Sequence, residues 1–152
     1  MLKRLIALLL TLLLVCSTAL AAKPKATVNP SLPLQAAQEL VDYLANHDGE
    51  LPERYITKKD AQNLGWDSSR NYVSDVAPGC ALGGTYFGNY EGLLPTAKGR
   101  RYYECDCYYT RGKRNAYRLV YSNDGLYFYS ADHYATYTQL FPTPAEEDNR
   151  KK

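Results

Sequence analysis

Apolar side chains at Ala37, Leu40, Val41 and Leu44 recur at i, i+3, i+4 and i+7, the spacing of one helix face. This pattern predicts a first helix from Leu34, ending in the polar turn Asn46-His47-Asp48-Gly49, whose glycine suits a helix stop. Thr57 stands three residues before Asp60, close to a capping box, so a second helix is expected up to Leu64-Gly65. A third, short helix is expected over Tyr72–Val76, closed by Pro78-Gly79. Beyond Cys80 the helical period disappears. Segments 82–87, 101–109, 118–121, 127–131 and 135–140 are rich in Tyr, Val, Thr and Phe, and turn-forming residues separate them. Asn123-Asp124-Gly125 between two of them is a hairpin signal. Helices first and strands after predict an α+β fold, with the helices on one face of a five-stranded antiparallel sheet.

The remaining segments set boundaries. Lys3-Arg4, an apolar run from Leu5 to Val15 and the small-x-small pattern Ala19-Leu20-Ala21 have the layout of a secretory signal peptide over 1–21. The apolar run is too short to span a bilayer, so no membrane attachment is expected after cleavage. The mature chain is then expected to be secreted and extracellular. Residues 22–33 read as a flexible leader, 34–141 as one compact domain, and 142–152 as a disordered charged tail.

Removing Lys3 and Arg4 takes the basic count from 18 to 16, against 16 acidic residues, so global charge selects no partner. Its distribution is more telling. Lys98, Arg100, Arg101, Arg111, Lys113, Arg114 and Arg118 lie close together, opposed only by Glu104 and Asp106. Such a strip suits a polyanion, and equally suits a sheet edge guarded by charge. Of the 15 tyrosines, most are expected to pack in the sheet and a minority to be free to stack on bases. Three cysteines remain after cleavage: Cys80, Cys105 and Cys107. Their spacing is not that of a metal site. If 82–86 pairs antiparallel with 101–108, Cys80 falls near Cys107, so a Cys80–Cys107 disulfide is expected, with Cys105 a buried thiol.

Only two histidines exist. His47, in a polar turn after a helix, is expected to be structural. His133 sits at a turn between two late strands, where its ring can project into a cleft, and Glu104 lies in a strand. Each is a weak signal alone. In context they become specific. Gly99–Asp106, Tyr109–Asn115, Arg118 and Asp132-His133-Tyr134 resemble the barnase-like family, small secreted bacterial ribonucleases that prefer guanosine. Leu51–Lys58, Leu64-Gly65-Trp66 and Asp75–Gly79 resemble it too, in the same order, over about 34–141.

The resemblance implies an endoribonuclease that needs no metal or other cofactor and cleaves single-stranded RNA 3′ of guanosine. Glu104 would be the general base, His133 the general acid, and Lys58, Arg114 and Arg118 the cations around the scissile phosphate. Glu91 would accept from guanine, in a substrate-binding loop with Phe87, Asn89 and Tyr90, and Tyr134 would lie beside the substrate. The chain departs from the family's pattern at Tyr90 (an arginine there), Leu93 (a lysine), Lys113 (an aromatic) and Tyr117 (an acid), which redistributes charge around the base and acid without touching either. Implied partners are RNA and a barstar-like protein inhibitor, with a monomeric enzyme. A fold-sharing RNA or inhibitor binder without turnover is the rival reading. It does not require all five residues together.

Overall fold

The computed structural model describes Asn29 and residues 31–144. The expected signal peptide, all of the leader except Asn29 and residues 31–33, and residues 145–152 of the expected tail lie outside the described residues. The elements are α1 (Ser31–Asn46), β1 (Tyr55–Ile56), α2 (Lys58–Asn63), α3 (Val73–Val76), β2 (Ala81–Phe87), β3 (Tyr102–Asp106), β4 (Arg118–Ser122), β5 (Tyr127–Ser130) and β6 (Thr138–Leu140). They form an α+β fold on a six-stranded sheet in the order β1-β2-β3-β4-β5-β6.

The sheet corrects the expectation of five antiparallel strands. Strands β2 to β6 are an antiparallel meander, but Tyr55 and Ile56 add a sixth strand, parallel to Ala81 and Leu82. Parallel neighbours need a long crossover, and α2 and α3 supply it. A two-residue strand carries no readable period, which is why pattern alone misses it.

Helix α1 starts at Ser31, three residues before the expected position, so 31–33 is not leader. The Asn29 side chain accepts from Ser31 N at 3.0 Å and Ser31 Oγ at 2.7 Å. Pro33 sits in the first turn, where a missing N–H costs nothing. Pro33, Ala37, Leu40, Val41 and Leu44 are buried. They meet Cys105, Cys107, Leu119, Tyr121, Tyr127 and Tyr129 on one face of the sheet. Burying a side chain such as Leu44 stabilises the fold by roughly 1.5–3 kcal/mol. At its end His47 stacks on Tyr43, with centroids 3.7 Å apart, and its Nδ1 lies 2.7 Å from the Tyr43 carbonyl oxygen.

Helices α2 and α3 do not share that face. Ala61, Trp66 and Val73 pack with Ala81, Leu82 and Tyr109 as a second core at the β1–β2 edge. A third cluster of Leu94, Tyr102, Val120 and Phe128 lies on the sheet face away from α1. Residues 142–144 are a further correction: Thr143 is docked on α1, its N and Oγ1 donating to Asp42 at 2.7 and 2.9 Å. Burial pushes the Asp42 carboxyl up, but these two hydrogen bonds and one from Gln38 together outweigh it and hold its pKa below the ordinary value.

The Cys80–Cys107 bridge is not formed. All three described cysteines are free, Cys105 and Cys107 buried and Cys80 half-buried. The β2–β3 register gives the reason. Gly83 stands opposite Cys105, so continuing the ladder sets Cys107 opposite Ala81 rather than Cys80. Successive strand residues face opposite ways, and a slip of one separates the two sulfurs. The register also shifts by one residue between Gly83 and Thr85. Glycine is required there twice over. A Cβ on Gly83 would lie 2.6 Å from Tyr55 Cδ1 and 2.9 Å from Cys105 Cβ, and Gly84 has φ +78.

Candidate active site

On the sheet face away from α1, alternate residues of three neighbouring strands line up. Glu104 stands opposite Thr85 and Val120, while Asp106 stands opposite Arg118, which stands opposite Ser130. Glu104, Asp106, Arg118 and Ser130 are all buried polar or charged residues. Buried charge must be paired, and here the partners come from three directions.

The first is α2. Thr57 caps it, accepting from Asp60 N at 3.1 Å, and Lys58 N donates to Thr85 Oγ1 at 3.1 Å. Because Thr85 is the cross-strand neighbour of Glu104, this tether delivers the Lys58 ammonium to Glu104 Oε1. The second is the turn after β5. Tyr134 OH donates to Glu104 Oε2, and its ring stacks on Phe87 with centroids 5.3 Å apart. Burial first, and then the bond to the Glu104 carboxylate and its charge, push the Tyr134 hydroxyl well above its ordinary pKa, so it stays a donor.

The third is the 107–117 loop. Arg114 grips Asp106 with both arms, Nε to Oδ2 at 2.8 Å and Nη2 to Oδ1 at 2.6 Å. Burial opposes the Arg114 charge, but the Asp106 bonds and charge outweigh it and raise the guanidinium's pKa. Arg118 Nε lies 3.3 Å from the same carboxylate without making a hydrogen bond. Its Nη1 donates to the Tyr117 carbonyl at 2.7 Å, and Tyr134 covers it, with Cζ 6.0 Å from the ring centroid. One buried carboxylate therefore positions two arginines.

His133 follows directly. Its N donates to the Ala116 carbonyl at 3.1 Å, and its exposed ring is 4.8 Å from that of Tyr134. Both residues have left-handed backbones, at φ +57 and +75. That conformation is costly for side chains of this size and recurs where a site imposes it. Asp132 holds the turn, accepting from Ser130 Oγ at 2.9 Å, Thr136 N at 2.9 Å and Thr136 Oγ1 at 2.5 Å. The Thr136 bonds, followed by that of Ser130, lower its pKa to about 2.

The loop after β2 lies at the other end of this face. Asn89, at φ +48, closes it by donating to the Leu94 carbonyl at 2.9 Å and accepting from Leu94 N at 3.0 Å. The Tyr90 ring lies on Gly88, where a Cβ would fall 2.3 Å from it, yet Tyr90 is 91% exposed. Glu91 is exposed. Its charge reaches the Tyr137 hydroxyl, which burial and then Glu91, Glu104 and Asp132 raise to about 12.

Thus Lys58, Glu104, Tyr134, Arg118, Arg114 and His133 are gathered in one place, with Phe87 beneath Tyr134 and Asn89, Tyr90 and Glu91 in the adjoining loop. Sequence reasoning missed Asp106 as the anchor of both arginines. Its signal was its place two residues after Glu104 on one strand, which puts the two carboxylates on one face. Cys80 and Cys107 lie outside this cluster. Among the described residues no group of three or more His, Cys, Asp or Glu is placed to hold a metal ion.

A family model described as ribonuclease matches residues 38–140. Over 101 residues, 66% of this chain, the sequence is 48% identical to a ribonuclease of Bacillus intermedius and to one of Bacillus pumilus. The match spans 62% of the length of each of these two relatives. A ribonuclease of Heyndrickxia coagulans is also 48% identical over 101 residues, there 92% of the relative's length.

Proposed function

The chain belongs to the ribonuclease family, in its barnase-like microbial branch, and from that premise we propose that it is an endoribonuclease cutting single-stranded RNA 3′ of guanosine without a metal. The observation that carries this reading is a buried carboxylate, Glu104, held between Lys58 and Tyr134, beside two arginines fixed by Asp106 and an exposed imidazole, His133.

RNA carries its own nucleophile, the 2′-hydroxyl, so the protein has to move protons and stabilise charge. Glu104 takes the 2′-hydroxyl proton as that oxygen attacks phosphorus. His133 gives a proton to the departing 5′-oxygen, leaving a 2′,3′-cyclic phosphate. In the slower second step the pair exchange roles and water opens the ring. Charge grows on the non-bridging oxygens in the transition state, and Lys58, Arg114 and Arg118, held in place by Glu104 and Asp106, supply the opposing charge. Such preplaced cations need no reorganisation during the reaction. Asp106 is a positioning residue that sets the two arginines.

Guanine preference follows from donor and acceptor pattern. Glu91 accepts from guanine N1–H and N2–H together, and backbone N–H groups of 88–90 donate to O6. Adenine would face Glu91 with an acceptor. An unpaired, desolvated carboxylate costs about 1–3 kcal/mol, enough for a tens- to hundredfold preference. The basic start, the apolar run and the small-x-small pattern at the N-terminus support a secreted enzyme. The cationic cluster is one that an acidic, barstar-like inhibitor would complement.

The test is cleavage by the purified mature protein in EDTA, using oligomers with and without guanosine. Cuts after guanosine that leave cyclic phosphate ends, lost in Glu104→Ala and His133→Ala, are the expected result. A folded wild-type protein that cuts nothing overturns the enzyme reading, and activity abolished by EDTA overturns the metal-free mechanism.

A further inference from the structure

The end of α1 and the β4–β5 hairpin enclose a cavity that the catalytic cluster does not use. Tyr103, Tyr121 and Tyr127 form a row across β3, β4 and β5, with Tyr103 opposite Tyr121 and Tyr121 opposite Tyr127. Their rings belong to the core that contains Leu44, on the α1 face of the sheet and away from Glu104. Beside them lies a cavity of about 410 Å³, within the roughly 300–1,000 Å³ of small-ligand sites. Leu44, Ala45 and Asp48 line it from one side, and Ser122, Asn123 and Gly125 from the other.

Backbone geometry keeps the cavity open. Gly49 and Gly125 stand on its wall at φ +79 and +85, and a Cβ on either would meet nothing within 4 Å. Hydrogen bonds fix both walls. Gly49 N donates to the Leu44 carbonyl at 2.9 Å, and Glu50 N to that of His47 at 2.8 Å. Opposite them, Asn123 accepts from Arg101 N at 2.8 Å and donates to the Gly99 carbonyl at 3.0 Å.

The lining has one sign of charge. It carries one acid, Asp48, and no base. None of the ion pairs among the described residues includes Asp48. Helix α1 has no basic residue in its last turn, so the negative end of its dipole is unmatched. No backbone N–H among the described residues donates to the Ala45 carbonyl. His47, next to Asp48, is stacked on Tyr43 and does not line the cavity. Tyr121 and Tyr127 are each 6% exposed, yet their hydroxyls meet no partner among the described residues and open on the cavity. Burial pushes both hydroxyls above their ordinary pKa, so they stay neutral.

We propose that this cavity binds a small aliphatic amine in its ammonium form. Its N–H groups go to the Asp48 carboxylate, the Ala45 carbonyl and a tyrosine hydroxyl, and its alkyl chain to Leu44 and the tyrosine rings. An anion would find no countercharge there. An ammonium matches the acid, the helix end and the electron-rich ring faces together. The site goes beyond the ribonuclease reading and does not depend on it.

The experiment titrates n-butylammonium chloride into the purified mature protein at constant ionic strength, followed by NMR. Ring resonances of Tyr103, Tyr121 and Tyr127 should shift and saturate, while those of His133 stay in place. Asp48→Asn puts a residue at φ +51 that tolerates a left-handed backbone, so the fold should survive. It should weaken binding about tenfold, the size of one charge-assisted hydrogen bond. Ala45→Lys, which brings a cation to the helix end on the chain itself, should abolish binding and raise the thermal midpoint. Two controls, n-butanol without the charge and tetramethylammonium without N–H groups, should each bind about tenfold more weakly or worse. No saturable shift, equal binding of either control, or an affinity unchanged in both Asp48→Asn and Ala45→Lys overturns the site. Tighter binding of Nα-acetyl-lysine amide than of butylammonium overturns the small-amine assignment, since the occupant would then be a lysine of another protein.

Discussion

The two faces of the central strands are built from interleaved residues, and they do opposite work. Cys105, Cys107, Leu119, Tyr121, Tyr127 and Tyr129 meet α1 in a closed apolar core. Between them, Glu104, Asp106, Arg118 and Ser130 face the other way, equally buried but charged or polar, next to the smaller apolar cluster of Tyr102, Val120 and Phe128. Burial on the first face stabilises the fold. On the second it is a cost, offset by pairing, that holds charged groups in fixed positions. The pleat allows both at once, because a single strand contributes every second residue to each task.

Variants on the two faces should separate rate from stability. The largest effect is expected from Glu104→Ala or His133→Ala, with cleavage falling on the order of 10²- to 10⁴-fold. The folded fraction should barely change for His133→Ala, since that side chain is exposed. Next, Asp106→Ala should cost about 3–5 kcal/mol in urea unfolding, because it strands two arginine charges, and should also lower the rate. Leu119→Ala, next in sequence to Arg118 but on the opposite face, should cost about 2–5 kcal/mol and leave the rate per folded molecule nearly unchanged. Should Leu119→Ala instead cut the rate as deeply as Asp106→Ala, the division between faces would be wrong.

Much of this arrangement was legible in the sequence. The 3.6-residue spacing of Ala37, Leu40, Val41 and Leu44 located α1, and Thr57 with Asp60 located the start of α2. The β-rich segments located five of the six strands, and the resemblance named the residues that the structure gathers around Glu104. What escaped depends on register or on distant partners. The alignment of β2 on β3, which sets Cys107 opposite Ala81, decides that Cys80 misses Cys107. The parallel pairing of Tyr55-Ile56 depends on the crossover, and the docking of Thr143 depends on Asp42, 101 residues away. The double grip of Asp106 appears only once β3 and β4 are aligned.

Smaller effects sharpen the comparison further. With Cys105 and Cys107 free and buried, burial and then Asp106 raise the Cys107 thiol to about 12, which keeps it protonated and unreactive. Reducing agent should leave the thermal midpoint unchanged. A drop on reduction would reveal a bridge. The smallest effect concerns the turn carrying His133. Because the folded-state pKa of Asp132 is depressed from 3.8 to about 2, its contribution is present above pH 3.8 and lost as pH falls through 2. Exchange of the Thr136 amide, corrected for intrinsic rate, should therefore accelerate over that window, and Asp132→Asn should show the faster exchange already at pH 5.

The most direct measurement replaces one guanosine of an otherwise cleavable RNA oligomer with 2′-deoxyguanosine. If Glu104 activates the substrate's own hydroxyl, cleavage at that position should vanish while cuts at the remaining guanosines continue and binding persists. Cleavage after the 2′-deoxyguanosine would mean that the nucleophile is not the 2′-hydroxyl and would contradict the roles given to Glu104 and His133.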